Sequence, residues 1–159
     1  MIDAVLIDRQ VEEKMAKCTR RFAPLEAGGL ILGTRKDGAL HVVDITMPGT
    51  WDRHTRSSFY RSKKGHRYRA LRLWRQSGGT IDWIGDWHSH PGFDTQPSGK
   101  DRRNWQRIVK LRKAPMLFPI CDGKKTSFHL LASPLAKPQR LHLSEEDDWS
   151  CLYTCACSG

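Results

Sequence analysis

The chain has 159 residues, which suits one compact domain, and its 38% apolar and 28% charged residues are typical of a folded globular protein rather than a disordered one. Its net charge of +10 favours acidic proteins, nucleic acid or lipid headgroups as partners and does not choose among them. No apolar run approaches the roughly 20 residues that a membrane-spanning helix needs. The N-terminal residues do not resemble a secretory signal, so we expect a cytoplasmic protein without a membrane partner.

The first third of the chain predicts a helix followed by a hairpin. Apolar residues recur every three or four positions between residues 8 and 22, which indicates an amphipathic helix that Asp8 caps. Residues 28–34 and 40–46 are short apolar runs, and the turn between them contains Asp37-Gly38, a strong hairpin signal. We therefore expect two antiparallel strands here.

The middle of the chain predicts a helix, a strand and a further helix. Residues 61–76 form a helical pattern with Tyr68, Leu71 and Trp74 on one side, and we expect Tyr68 and Trp74 to lie in the core. A strand over residues 81–90 follows, and after a proline-containing loop we expect a helix over residues 98–113.

The remaining elements complete one α/β (α+β) domain. Residues 116–121 and 126–132 flank an Asp-Gly turn and predict a second hairpin. Helices interspersed with hairpins indicate a single mixed domain, which we place at residues 1–145. Residues 146–159 are expected to form an acidic, cysteine-containing tail. Cys121 is expected to be a small core residue.

Metal-ligand residue types are densest between residues 88 and 101. His88 and His90 are two apart on a predicted strand, so their imidazoles point to the same face. Asp101 lies in the first turn of the next predicted helix and can add an oxygen ligand. Two nitrogens, one carboxylate and an open fourth position form the ligand set of a catalytic zinc site, whereas structural zinc is usually enclosed by four protein ligands.

A metal-activated water that attacks an amide also needs a residue that accepts its proton. Glu26 precedes the glycine-rich apolar run that starts at Gly28, where partial burial would raise its pKa and suit it to general acid-base catalysis. Ser98 could donate a hydrogen bond to the developing oxyanion.

Each of these residues also has a simpler explanation. Ser98 and Asp101 match a helix capping box, and for that pair alone we favour capping. The two histidines could be solvated loop residues, and Glu26 could pair with a surface arginine. All of them together at this spacing are far less probable by chance than any one alone.

Together, these residues resemble the signature of the JAMM/MPN zinc metalloproteases. That signature is a Glu, then His-Ser/Thr-His, seven residues, Ser, two residues and Asp, and it is matched here by Glu26, His88, Ser89, His90, Ser98 and Asp101. The resemblance implies a curved mixed β-sheet with flanking helices. It also implies one Zn²⁺ per chain held by His88, His90 and Asp101, with Glu26 activating the water and Ser98 stabilising the intermediate.

The resemblance is to the compact prokaryotic members of this family. It implies a metalloprotease that hydrolyses the bond after the C-terminus of a ubiquitin or ubiquitin-like protein or its conjugate. Among such members, the chain is similar to the deconjugating peptidases of antiphage (CBASS) operons, whose target is a conjugated cyclic-nucleotide synthase. Larger members of the family carry additional segments that bind ubiquitin, and the length of this chain leaves little room for such segments.

The positive charge is concentrated outside the ligand segment. Between Arg53 and Arg75 there are nine basic residues and no Asp or Glu. Most of these side chains would be solvated, but the region could dock an acidic protein surface, with nucleic acid as the runner-up partner. The alternative function is therefore a RadC-like nucleic-acid-binding protein on the same scaffold. Ser89 disfavours this alternative, because the RadC-like pattern typically has Asn between the histidines.

The five cysteines do not indicate a disulfide framework, because their number is odd and no secretory signal is recognised. Cys151, Cys155 and Cys157 form a cluster near the C-terminus that could hold a metal or a disulfide. No fourth ligand is obvious, so we expect reactive cysteines in an unstructured segment. A Cys-His protease is disfavoured because the histidines already serve as metal ligands.

Overall fold

The computed structural model describes residues 1–156 of the chain. Three helices and ten strands alternate along it. In chain order they are β1 (Ala4–Asp8), α1 (Arg9–Phe22), β2 (Gly28–Lys36), β3 (Ala39–Ile45), β4 (Arg53–His54), β5 (Phe59–Tyr60), α2 (Lys63–Gln76), β6 (Asp82–Ser89), α3 (Gly99–Arg112), β7 (Met116–Cys121), β8 (Thr126–Leu131), β9 (Gln139–Glu146) and β10 (Ser150–Cys155).

Eight of the strands form one mixed sheet that curves until it closes on itself. Their order is β1-β10-β9-β8-β7-β6-β2-β3, and β3 pairs in parallel with β1 to complete the barrel. The pair β6 and β7 is also parallel, and the other pairs of the barrel are antiparallel. The short strands β4 and β5 form a separate hairpin. The predicted curved mixed sheet with flanking helices is confirmed.

The apolar side chains form two cores on opposite faces of the sheet. One core combines the barrel interior with the apolar stripe of α1, and the other lies between α3 and the outer face of β7. Strand β7 serves both cores, because alternate residues face opposite sides. Leu117 packs in the first core, whereas Phe118 packs in the second. This double coverage explains why β7 is buried along its whole length.

The locally encoded elements agree with the sequence expectations. The first predicted helix begins at Arg9, and both predicted hairpins pair as expected around turns that contain Gly38 and Gly123 at positive φ. Cys121 is fully buried. Asp8 occupies the N-cap position of α1, but its carboxylate makes no capping hydrogen bond and instead lies 3.0 Å from Nε2 of His41.

The expectation that Tyr68 and Trp74 lie in the core is wrong. Their side chains are 67% and 44% exposed. Helix α2 instead turns the stripe that contains His66, Ala70 and Leu73 towards the sheet, and His66 is its one buried residue. The sequence pattern was ambiguous because a histidine occupies the inward stripe while aromatic residues occupy the outward one.

The segment expected to be a C-terminal tail belongs largely to the barrel. The boundary at residue 145 falls inside β9, and β10 pairs with both β9 and β1. Cys151 is buried and Cys155 is half-buried on β10, so these two cysteines are not in an unstructured segment. Cys157, the third cysteine of that cluster, lies outside the described residues. Within residues 1–156, no helix is both long and apolar enough to cross a membrane.

A chain that ends at Glu145 tests whether β10 is needed for stability. We expect it to lose at least about 3 kcal/mol of unfolding free energy, or roughly 10 °C in Tm, because removing β10 leaves β1 and β9 with unpaired edges. Thermal unfolding followed by circular dichroism measures this. Trp149→Ala is the control, since that side chain is 82% exposed and its loss should change Tm little. An unchanged Tm in the shortened chain would show that the segment is dispensable.

Candidate metal centre

Two histidines meet at the end of β6. His88 is the penultimate residue of the strand and His90 follows its last residue, Ser89. Residues two apart share a face of a strand, and the two Nε2 atoms lie 3.1 Å apart. The structure therefore brings the two predicted nitrogen ligands together.

Asp101 supplies a carboxylate to the same point from the first turn of α3. Its two oxygens lie 3.3 Å from Nε2 of His88 and 3.3 Å from Nε2 of His90. The predicted capping box is also formed, since Ser98 Oγ accepts from the Asp101 N–H at 3.1 Å and Asp101 Oδ2 accepts from the Ser98 N–H at 2.8 Å. Capping and metal ligation are thus compatible, because the cap orients the carboxylate towards the histidines.

The three side chains form a compact group of donor atoms. One ligand atom from each of His88, His90 and Asp101 lies within 4.8 Å of the others, so the group could hold a metal ion. Burial would raise the pKa of the Asp101 carboxyl, but the two imidazoles lower it well below its ordinary value. The carboxylate is therefore ionised at neutral pH, as a ligand must be.

The orientation of His90 is fixed by a contact that the sequence pattern does not reveal. Its Nδ1 donates to the carbonyl oxygen of Asp94 at 2.9 Å, which leaves the Nε2 lone pair directed into the cluster. Metal-bound histidines usually have such a partner on the second ring nitrogen. The His90 backbone N–H also donates to the Cys121 carbonyl at 2.8 Å, which ties the loop to the end of β7.

Aromatic residues of α3 and β7 pack beside the cluster. Trp105 stacks on Phe118 at 4.7 Å between centroids and meets the His88 ring edge-on at 6.4 Å. His129, a buried residue that the sequence did not indicate, packs its ring 5.4 Å from Trp105 and donates from Nδ1 to the Phe118 carbonyl. Burial lowers the pKa of His129 to about 4, so it is neutral at pH 7. Its position within an apolar strand gave no sign of this packing.

Glu26 reaches the site through the pairing of β2 with β6. Gly28 pairs with His88, and the Ser89 N–H donates to the Ala27 carbonyl at 2.8 Å. The fully buried Ser89 hydroxyl accepts from the Ala27 N–H at 2.8 Å. Glu26 is the next residue before this double contact, which places it beside the histidine pair.

The environment of Glu26 is that expected of a proton-transfer group. Its side chain is 8% exposed. Burial raises the pKa of its carboxyl by more than the imidazoles of His88 and His90 lower it. The prediction of a partly desolvated carboxylate is therefore confirmed, and within residues 1–156 no group donates a hydrogen bond to either carboxylate oxygen of the Glu26 side chain.

Comparison with protein families agrees with this geometry. The family described as prokaryotic homologs of the JAB domain matches residues 8–148. This chain belongs to the prokaryotic JAB family. A solution structure from Desulfitobacterium hafniense superposes on this JAB-domain protein with a TM-score of 0.65 at 21% identity, and the match covers 93% of this chain and 96% of the other. That likeness supports the fold.

Curated relatives of this JAB-domain protein are named as peptidases. A CD-NTase/cGAS isopeptidase of Pseudomonas aeruginosa is 41% identical over 55% of this chain, and one of Vibrio cholerae is 35% identical over 63%. These matches span 56% and 63% of the two isopeptidases. A probable metalloprotease of Sinorhizobium fredii is 31% identical over 75% of this chain and 76% of its own length.

Metal analysis tests the ligand set of the JAB domain. We expect about one equivalent of zinc per chain in the wild type and in Glu26→Ala, and a loss of bound metal in His88→Ala and Asp101→Ala. Retention should also fall between pH 7.5 and pH 5.5, because protons compete with the metal for His90, whose pKa is lowered by burial but raised by more through Asp101 and the Asp94 carbonyl. Plasma mass spectrometry after dialysis measures the metal. Full metal content in His88→Ala would contradict the assignment of His88 as a ligand.

Proposed function

We propose that this protein is a zinc-dependent isopeptidase that hydrolyses the bond after the C-terminus of a ubiquitin-like protein or its conjugate. The observation that supports this proposal most directly is the cluster of His88, His90 and Asp101 beside the buried carboxyl of Glu26. The isopeptidase and metalloprotease names of the relatives support the same reaction.

The donor geometry supports zinc as the metal. Tetrahedral zinc with bonds of about 2.0–2.1 Å holds its ligand atoms about 3.3 Å apart. The two Nε2 atoms lie 3.1 Å apart, and each lies 3.3 Å from a different carboxylate oxygen of Asp101, so the neighbouring donor atoms are close to this spacing. Two nitrogens and one oxygen also match the ligand types of catalytic zinc sites, in which three protein ligands leave the fourth position open.

Glu26 transfers the proton in the proposed reaction. A zinc ion held by the cluster would lower the pKa of its water and polarise the scissile carbonyl. Glu26 accepts the proton that the attacking water loses and returns it to the leaving amine nitrogen, so the amide bond breaks without releasing a strongly basic amide ion. The raised pKa of Glu26 suits both steps, because the group must gain and lose a proton near neutral pH.

Ser98 stabilises the oxyanion in this proposal. Its Oγ already accepts the Asp101 N–H through a lone pair, which leaves the hydroxyl proton free to donate. The position of Ser98 at the N-cap of α3 adds the positive end of the helix dipole at the same place. Both contributions favour negative charge that develops on a carbonyl oxygen.

The substrate is proposed to enter as an extended C-terminal tail that pairs with backbone beside the site. From the names of the relatives, we propose that the conjugated target is a CD-NTase and that the reaction serves antiphage (CBASS) defence. We further propose that the protein acts in the cytoplasm.

Cleavage of a defined fusion tests the reaction. We expect the wild type to release a reporter joined by an amide bond to the C-terminus of a ubiquitin-like protein or a CD-NTase. Glu26→Ala should lose at least about 10²-fold in kcat, because the proton acceptor is gone. Gel analysis of the products measures the rate. Glu13→Ala, which removes an exposed carboxylate from α1, should be as active as the wild type. Full activity of Glu26→Ala or of the chelated enzyme would contradict the mechanism.

We propose that the basic region between Arg53 and Arg75 docks an acidic surface of the substrate protein. Seven of its side chains are exposed and have no acidic partner in the described structure, namely Arg53, Arg56, Lys63, Lys64, Arg67, Arg72 and Arg75. Exposed Tyr68 and Trp74 lie among them on α2. Unpaired cations beside aromatic side chains suit a protein interface, in which arginine and aromatic residues are enriched.

Charge reversal on α2 tests this docking surface. The triple variant Arg67→Glu/Arg72→Glu/Arg75→Glu should raise KM for the fusion about tenfold or more and leave kcat unchanged, because the charges are used for binding alone. Lys110→Glu on α3 is the matched control. If KM is unchanged and the triple variant instead loses salt-sensitive binding of a single-stranded oligonucleotide, the nucleic-acid alternative is supported.

A further inference from the structure

The backbone of Glu26 is held on both sides by the segment around β4. The Glu26 N–H donates to the Thr55 carbonyl at 2.8 Å. Its carbonyl oxygen accepts a hydrogen bond from Nδ1 of His54 at 2.7 Å, and this bond requires the ring proton to be on Nδ1. The β4–β5 hairpin thus satisfies both the backbone N–H and the carbonyl oxygen of Glu26, although neither of its strands belongs to the barrel.

The His54 ring is itself held between two phenylalanines. It stacks on Phe22, the last residue of α1, with 4.6 Å between centroids and 6° between planes. Its other neighbour is Phe59 of β5, at 5.1 Å with a tilt of 58°. Phe59 in turn packs against the backbone at Gly28, where an added Cβ would approach its ring to 2.6 Å. The donor atom of His54 therefore has little freedom to move.

These contacts hold the backbone of Glu26, whereas its side-chain carboxylate has no hydrogen-bonded partner in the described chain. The position of the Glu26 carboxyl is then set by its backbone, which Ser89 fixes through Ala27 on one side and His54 fixes on the other. General acid-base catalysis requires heavy-atom distances of about 2.6–3.2 Å, and a misplacement of about 1 Å can cost roughly 10²-fold in rate.

We propose that His54 is a positioning residue that holds Glu26 in place for proton transfer, an inference that rests on the proposed isopeptidase function. The ring stacking fixes the imidazole, the imidazole fixes the Glu26 carbonyl, and the carbonyl fixes where the carboxyl can reach. His54 is not a metal ligand, since its hydrogen bond and ring contacts are to Glu26, Phe22 and Phe59.

Two substitutions separate the hydrogen bond from the packing. His54→Phe keeps an aromatic ring between Phe22 and Phe59 but removes the donor. His54→Asn removes much of the ring but retains an N–H near the position of Nδ1. We expect His54→Phe to lower kcat by about 10- to 100-fold, with KM and zinc content within about twofold of the wild type. We expect His54→Asn to recover most of that loss. His41→Phe, at a half-buried histidine of β3, should leave kcat unchanged.

A measurement without substrate gives an independent result. In the zinc-loaded protein, amide hydrogen exchange by NMR should be at least about tenfold faster at Glu26 in His54→Phe, because local opening frees its N–H from Thr55. The amide of Leu30, which donates to Thr46 Oγ, should be unaffected. In a Glu26→Ala background, His54→Phe should cause no further loss of residual activity, since the two residues act as one unit.

Several outcomes would overturn this role of His54. One is a His54→Phe variant with the wild-type kcat and the wild-type amide exchange rate at Glu26. Another is a His54→Asn variant whose kcat is lowered as much as that of His54→Phe. The third is a loss of zinc in His54→Phe that accounts for its lower kcat. A wild-type protein that fails to cleave the fusion would instead contradict the proposed function. The exchange rate at Glu26 would then still decide whether His54 fixes this residue.

Discussion

The double contact between Ala27 and Ser89 is the interaction on which the site depends. Two hydrogen bonds of 2.8 Å join the segment before β2 to the end of β6, and they bring a carboxyl and a histidine pair together although 62 positions separate Ala27 from Ser89. The hydroxyl at position 89 is fully buried between the two histidines. Ser89 lies between the two histidines that are proposed as ligands, and its side chain contributes by joining β6 to the segment before β2. The alternation of side chains along β6 makes this division of roles possible.

At the start of α3, helix capping orients the carboxylate that is proposed as a metal ligand. An Asp in the third position of a helix ordinarily accepts the N-cap N–H and interacts favourably with the helix dipole. Here the same carboxylate also faces two imidazoles, and its low pKa follows from both environments. The cap fixes the orientation of Asp101 in the absence of metal, so ordinary secondary-structure hydrogen bonds preorganise the proposed ligand set.

The sequence predicted those parts of the molecule that local patterns encode. Hairpins with Asp-Gly turns, the α1 stripe and the His88 to Asp101 spacing all depend on residues close together in the chain, and all were found. The closure of the barrel by β1 and β10 was not foreseen, because this pairing joins the two ends of the chain. The prediction of which face of α2 packs inward was also wrong, because the burial of His66 depends on its hydrogen bonds to Asp52 and Thr46.

The same distinction explains why His54 was missed while Glu26 was not. A carboxylate before a glycine-rich apolar run is visible in the sequence, and its burial follows from the strand that it precedes. A histidine in a short polar segment carries no such signal, and its role depends on Phe22 and Phe59, which only the folded chain brings to either side of its ring. The residues proposed to perform the chemistry could thus be recognised from their spacing, whereas the residue proposed to hold Glu26 in place is defined by contacts between distant segments.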